Sequence, residues 1–125
     1  MNKTMAAVAE ATREALLEGG KGRWLGLYAV TKDADDGTVR VMYRGTACVT
    51  ISPKLDKIML ENDGWRTMTT LKVINAALWG VAQIGRFRSY AAYQKSFEWY
   101  VSIAPNVADV EFERGMVLPL RKESQ

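Results

Sequence analysis

The spacing of apolar and polar positions predicts a helix at the start of the chain. Over residues 4–18, apolar side chains recur every three or four positions, with charged side chains on the opposite side. Thr4 is the predicted N-cap and Gly19-Gly20 the predicted end. Because several of the apolar positions are alanine, we expect this helix either to dock loosely on the rest of the protein or to pair with a second copy.

From Trp24 onward the helical period gives way to the two-residue alternation of β-strands. Asp35-Asp36-Gly37 and Asn62-Asp63-Gly64 are typical of tight turns, since glycine tolerates a positive φ. The stretch 97–103 alternates cleanly, with Phe97 and Trp99 on the same face. The predicted strands cover residues 24–30, 39–44, 46–51, 57–61, 84–93 and 97–103, with short edges at 109–113 and 115–118.

A second helix is predicted from about Thr69 to Leu78, with Thr69 or Thr70 as its N-cap and Gly80 closing it. The order of the elements indicates an α+β fold. We expect an antiparallel sheet of about five to seven strands with one packed helix and the N-terminal amphipathic helix. A single domain covers residues 1–125, with the N-terminal helix in 1–20 and the α+β body in 24–120.

Composition mainly excludes classes of chemistry. The 125 residues contain no histidine and one cysteine, Cys48, so neither a Ser-His-Asp triad nor a His/Cys zinc site can form. We therefore expect a non-enzymatic cytoplasmic protein without metal, cofactor or membrane segment. A weaker alternative is a magnesium-dependent hydrolase or nuclease that uses carboxylates. Its candidate residues are Asp33, Asp35, Asp36 and Glu61.

A candidate anion site lies at the start of the second helix. Unpaired N–H groups, hydroxyls and cations there favour a phosphate or carboxylate. The alternative is ordinary helix capping, with Arg66 exposed or paired with Asp63, since every helix start carries such N–H groups. The candidate residues are Arg66, Thr67, Thr69, Thr70 and Lys72.

A second candidate site combines cations with aromatic rings. The net charge is +3, and residues 40–95 hold nine Lys/Arg against three Asp/Glu. Arg86, Arg88 and Tyr90 share one strand face if residues 84–93 form a regular strand, and Tyr93 and Lys95 follow. Such a face suits stacked bases and phosphates. It equally suits a protein partner, or a solvated surface covered by arginine stems.

The segment Gly64-Trp65-Arg66-Thr67-Met68-Thr69-Thr70 and the following Ile74-Asn75 resemble a group of small proteins encoded by tailed bacteriophages and prophages. Trp99-Tyr100-Val101 and the stretch 112–118 extend the resemblance, which covers roughly residues 40–118. The group usually has a basic residue directly after the Thr-Thr pair, where this chain has Leu71. The resemblance implies a phage accessory protein and transfers no catalytic residue.

The leading hypothesis is a phage-type accessory protein that binds and inhibits a host or defence macromolecule in the bacterial cytoplasm. An anti-CRISPR-like role is one instance. The alternative binding module takes nucleic acid on the basic-aromatic face. A role in the virion is a further alternative. A homodimer is compatible with the N-terminal helix and the number of aromatic residues.

Overall fold

The computed structural model describes residues 1–103 and 109–122. Its helices are α1 (Lys3–Leu16) and α2 (Met68–Ala82). In the described part of the chain the strands are β1 (Arg23–Leu25), β2 (Tyr28–Lys32), β3 (Val39–Tyr43), β4 (Thr46–Ser52), β5 (Lys57–Leu60), β6 (Tyr90–Lys95), β7 (Glu98–Ile103), β8 (Val110–Glu111) and β9 (Met116–Pro119).

The strands form two antiparallel sheets. The larger sheet has the order β1-β2-β3-β4-β5-β9, and the smaller one has the order β6-β7-β8. The predicted α+β fold is confirmed, and so are the N-terminal helix and the turn after β2. The separate three-stranded sheet is an addition to the predicted single sheet, and it contacts α2 through β6.

Helix α1 belongs to the main core, so the expectation that it docks loosely is wrong. Asn2 rather than Thr4 is its N-cap, and the Asn2 side chain accepts from the Met5 N–H at 2.8 Å. Alanines allow α1 to approach α2 closely. A Cβ added to Gly80 would lie 2.4 Å from the Ala9 carbonyl oxygen. The thin alanine stripe is therefore a close-packing surface between two helices.

Helix α2 is longer than predicted, and its N-cap is Thr67 instead of Thr69 or Thr70. The Thr67 hydroxyl accepts from the Thr70 N–H at 3.2 Å. Gly80 does not close the helix but lies inside it, since α2 continues to Ala82. The residue that sequence reasoning took for a stop provides instead the space for α1.

The predicted strand 24–30 is two strands. Gly26 has a φ of +75°, and the chain reverses there so that Leu25 lies opposite Tyr28. Its apolar residues on both faces therefore belong to a short hairpin at the edge of the larger sheet. The prediction that Phe97 and Trp99 share one strand face is also wrong. Phe97 lies in the β6–β7 turn at a φ of 67° and is 85% exposed.

Asn75 fixes the smaller sheet to α2. Its side-chain nitrogen donates to the Ala92 carbonyl at 2.7 Å, and its side-chain oxygen accepts from the Ala92 N–H at 2.8 Å. The amide thus occupies the place of a neighbouring strand along the free edge of β6. The asparagine in this helix was part of the resemblance to phage proteins, but its role became visible only in the structure.

Replacing Asn75 with alanine is expected to lower the free energy of unfolding by about 1–2 kcal/mol, because both main-chain groups of Ala92 lose their partner. Urea denaturation followed by circular dichroism measures the change. Gln83→Ala, at the exposed end of α2, is the control and should change stability by less than about 0.5 kcal/mol. Equal effects of the two substitutions would contradict the assigned role of Asn75.

Candidate functional site

The predicted basic-aromatic strand face does not form. The strand begins at Tyr90, and residues 85–89 lie outside the named strands, so Arg86 and Arg88 cannot share a strand face with Tyr90. Tyr90 is 4% exposed and belongs to the core. The glycine at residue 85 and the turns around it interrupt the apparent alternation. The prediction that these three residues form one face is wrong.

Arg86, Arg88 and Tyr90 instead contact the C-terminal segment. The Arg88 N–H donates to the Leu120 carbonyl at 2.8 Å, and its side chain donates to the Arg121 carbonyl at 2.8 Å. The Tyr90 hydroxyl donates to the Pro119 carbonyl, and burial raises the pKa of that phenol. These contacts hold the end of the described chain against the body.

Tyr93 and Lys95 lie on the outward face of the smaller sheet, where positive and negative groups alternate. The Tyr93 hydroxyl donates to the Asp109 carboxylate, which raises the pKa of the phenol. Its ring stacks on Tyr100 at 5.5 Å, and Lys95 lies opposite Glu98 in the register. Because its neighbours include carboxylates, this face lacks the one-sided positive charge of a polyanion site.

The residues of the candidate anion site lie in three separate places in the structure. Arg66 points to the smaller sheet and pairs with Glu98 at 3.0 Å rather than with Asp63. Lys72 lies near the start of α1, in a shallow depression that Met5 also lines. The three threonines remain together. Thr67 caps α2, its hydroxyl lies 3.0 Å from that of Thr70, and Thr69 lines the same cavity.

This cavity, which we call the α2 cavity, has a volume of about 460 Å³ and lies between the start of α2 and the β3–β4 turn. Arg44 of that turn is its cation, a residue that sequence reasoning had placed on a strand. Arg44 adopts a φ of 49° in the two-residue turn. The lining residues are Tyr43, Arg44, Thr46, Cys48, Asn62, Asp63, Trp65, Thr67, Thr69 and Thr70.

Cys48 is buried at the wall of the α2 cavity and is not poised for chemistry. Burial raises the pKa of its thiol to about 11, so the nucleophilic thiolate is rare near neutral pH. Its position follows from a β-bulge: Val41 pairs with Val49 and Met42 with Ala47, which leaves Cys48 without a cross-strand partner.

Three of the carboxylates considered for a metal-dependent enzyme, those of Asp33, Asp36 and Glu61, are used by turns and an ion pair. Asp33 accepts from the Asp35 and Asp36 N–H groups, and hydrogen bonds from Thr38 lower the pKa of Asp36. At Glu61, burial opposes ionisation, but hydrogen bonds from the Asp63 N–H and Arg114 outweigh it and lower the pKa. Within residues 1–103 and 109–122, no group of three or more carboxylate or cysteine side chains could hold a metal ion.

The most unusual surface is the uncovered face of the larger sheet. Both helices pack on one face, where alternate strand residues such as Val41, Val49 and Leu60 form the core. The strand residues that alternate with these core residues lie on the other face of the sheet and form three rows across the strands. We call this surface the open sheet face. Its members are Trp24, Ala29, Met42 and Ala47; Thr31, Arg40, Thr50, Met59 and Val117; and Ser52, Lys57 and Pro119.

The open sheet face is apolar where a solvated sheet would be polar. Trp24 is 80% exposed, Val117 55% and Met59 38%. Its charged members are Arg40 and Lys57, and no carboxylate belongs to it. In the described part of the chain, no helix or second sheet covers this face. A surface that combines exposed apolar side chains with arginine is typical of a protein interface.

Sequence reasoning missed this surface for a simple reason. The alternation of β3 and β5 was visible, but a single sequence does not show which face the helices cover. The signal was present at Met42 and Met59, where an outward position holds methionine instead of a charged residue.

Comparison with known proteins gives the chain's origin. A protein-family model described as Kyanoviridae Gp96 protein matches residues 6–119. The chain belongs to the Kyanoviridae Gp96 family. No curated protein and no solved structure matches significantly. The family membership supports the phage origin that the sequence resemblance implied, and its description names a phage group without an activity.

The family match begins inside α1 and ends with β9, and it includes every strand of the open sheet face and the whole α2 cavity. Among the described residues, no helix is long and apolar enough to cross a membrane.

Proposed function

We propose that this Kyanoviridae Gp96 family protein acts by binding a host or defence protein of the infected bacterium through its open sheet face. Binding blocks a surface of the target and requires no catalysis. The observation that carries the proposal is the exposure of three apolar side chains, Trp24, Met59 and Val117, on a sheet face that no described element covers. The action takes place where the target is, in the bacterial cytoplasm.

Burial of this face provides the driving force for binding. Trp24 and Met59 are large apolar residues at solvent-facing positions, and removal of their surface from water is favourable in proportion to the apolar area. Tryptophan is one of the residues that most often dominates the binding energy of an interface. Trp24 lies on the edge strand β1 and Met59 on β5, so the two anchors lie toward opposite sides of the open sheet face.

The charge of the face points to an acidic partner rather than to a second copy. In a symmetric dimer the same patch meets itself, so the cations Arg40 and Lys57 would face cations. An acidic target surface would pair with them. The homodimer considered from the sequence is therefore the less favourable occupant of this face.

Nucleic acid is the less favoured binding partner, and the experiment below distinguishes it from a protein. The strand face on which it rested does not form, and Tyr93 and Lys95 lie among carboxylates. The open sheet face holds two cations, which is few for a phosphate backbone that rewards many such contacts.

The test uses tagged wild-type protein and variants expressed in a bacterial host, with nuclease treatment before capture. Trp24→Ala and Met59→Glu are expected to reduce recovery of a stoichiometric protein partner about 30-fold, because each removes or charges an apolar anchor. Lys72→Glu, at an exposed position of α2, is the matched control and should capture the partner like wild type.

Full capture by Met59→Glu would refute the assignment of the face. So would a partner that disappears with nuclease and at moderate salt, which is the behaviour of a nucleic-acid complex. Light scattering that shows a dimer of the wild type and a monomer of Met59→Glu would assign the face to self-association. Urea denaturation of each variant ensures that loss of capture does not reflect loss of folding.

A further inference from the structure

The α2 cavity is separate from the open sheet face and shares no residue with it. Its volume of about 460 Å³ is within the range of small-molecule sites, which spans roughly 300–1,000 Å³. The cavity combines one cation, several hydroxyls and two aromatic rings, and none of these is explained by the proposed protein interface.

The donors of the cavity converge where α2 begins. Thr69 lines the cavity, and its N–H group has no acceptor within the described chain, because Thr67 accepts only from the N–H groups of Thr70 and Leu71. The guanidinium of Arg44 has no carboxylate partner among the described residues, and it lies 5.7 Å from the centre of the Tyr43 ring. A free N–H group beside an unpaired guanidinium favours a phosphate.

A buried amide provides an independent indication of a ligand. Asn62 is 3% exposed and lines the cavity, and its side-chain oxygen accepts from the Gly64 N–H at 3.0 Å. Its Nδ2 hydrogens have no acceptor among the described residues. Since no fully buried side-chain nitrogen or oxygen there lacks a partner, Nδ2 retains some accessible surface. Because Asn62 lines the cavity, this otherwise unused donor is available to an acceptor that enters there.

The aromatic residues and the carboxylate define the rest of the ligand. Trp65 is 65% exposed at the wall of the cavity, and Tyr43 lines it as well. An exposed indole of this kind stacks on planar rings. Asp63 holds a carboxylate near Arg114 at 3.4 Å, where it can accept from the hydroxyls or amino groups of a ligand.

We propose that the α2 cavity binds a nucleoside monophosphate group, either as a free nucleotide or as the phosphorylated end of a nucleic-acid strand. The phosphate lies at the start of α2 beside Arg44, where Asn62 also donates. The base lies against Trp65. No bond is made or broken, so the site is a binding site and not a catalytic one.

Isothermal titration calorimetry on the full chain tests this. The probes are the four common nucleoside 5′-monophosphates, the matching nucleosides, inorganic phosphate, and a trinucleotide with and without a 5′-phosphate. At least one monophosphate is expected to bind at least about tenfold more tightly than its nucleoside and than inorganic phosphate, because phosphate and ring are both recognised. Equal affinity of nucleotide and phosphorylated trinucleotide identifies the monophosphate group alone as the ligand, and a tighter trinucleotide identifies a strand end.

Arg44→Asn is the decisive variant, since asparagine tolerates the positive φ of this turn while the charge is lost. It is expected to weaken nucleotide binding about tenfold and to leave nucleoside binding unchanged. Arg40→Asn, on β3 and part of the open sheet face, should bind within about twofold of wild type. Absence of heat with every monophosphate at millimolar concentration would overturn the proposal, as would equal effects of the two arginine substitutions.

Discussion

Replacing Trp99 with alanine is expected to lower the free energy of unfolding by about 3–5 kcal/mol. Trp99 is 1% exposed, and its ring meets Phe112 edge to face at a centroid distance of 5.3 Å. Its indole N–H donates to the Gln94 side chain at 3.1 Å. Truncation removes the apolar area, leaves a cavity and deprives the Phe112 ring of its partner.

The measurement is urea denaturation of the full chain, followed by far-UV circular dichroism. Trp79→Ala is the matched control, because this tryptophan is 53% exposed on α2 and its truncation should cost less than about 1 kcal/mol. Similar losses for the two tryptophans would contradict the position of Trp99 in the core. If Trp99→Ala does not fold, Trp99→Phe should fold with a smaller loss.

Replacing Gly80 with valine is expected to destabilise the protein by about 3 kcal/mol, although glycine is an unfavourable residue inside a helix. Elsewhere in an exposed helix, glycine to alanine would gain about 1 kcal/mol. Here a Cβ would lie 2.4 Å from the Ala9 carbonyl oxygen and 3.1 Å from the Thr12 Cβ. The nearest atom is backbone, so it can move only if α1 moves away from α2.

Gly80→Ala is the intermediate variant of the series, and we expect it to lose stability, whereas the same substitution in an exposed helix usually gains stability. Gly85→Ala is the control, because no atom lies within 4 Å of a Cβ added there, and it should be neutral or slightly stabilising. Thermal denaturation of the three variants checks the order. A stabilising Gly80→Ala would show that the two helices are not in close contact.

The fold class was predictable from the sequence because it depends on local periodicity. The helical spacing of α1, the alternation of β3, β4 and β7, and the turns at Gly37 and Gly64 each involve residues close in the chain. The errors occurred where the local structure depends on contacts between residues that are far apart in the chain. Gly80 has the appearance of a helix stop until α1 is placed beside it, and residues 84–89 alternate like a strand but are used to hold the C-terminal segment.

The candidate site was predicted only in part, for the same reason. The threonines at the start of α2 are together as expected, because they are neighbours in the chain. The cation beside them is Arg44, more than twenty residues away, whereas the nearby Arg66 turns to Glu98 on the other sheet. To predict the open sheet face, one must know the order of the strands and which face of the sheet the helices cover. Neither follows from periodicity.

Site-specific photo-cross-linking decides whether the open sheet face meets a protein partner. A photo-reactive amino acid is placed at Met59 on that face, or at the exposed Lys72 of α2, in the full chain expressed in the bacterial host. We expect one discrete adduct with a host protein from position 59 and none from position 72. Adducts from position 72 alone, or only with a second copy of the chain, would contradict this expectation.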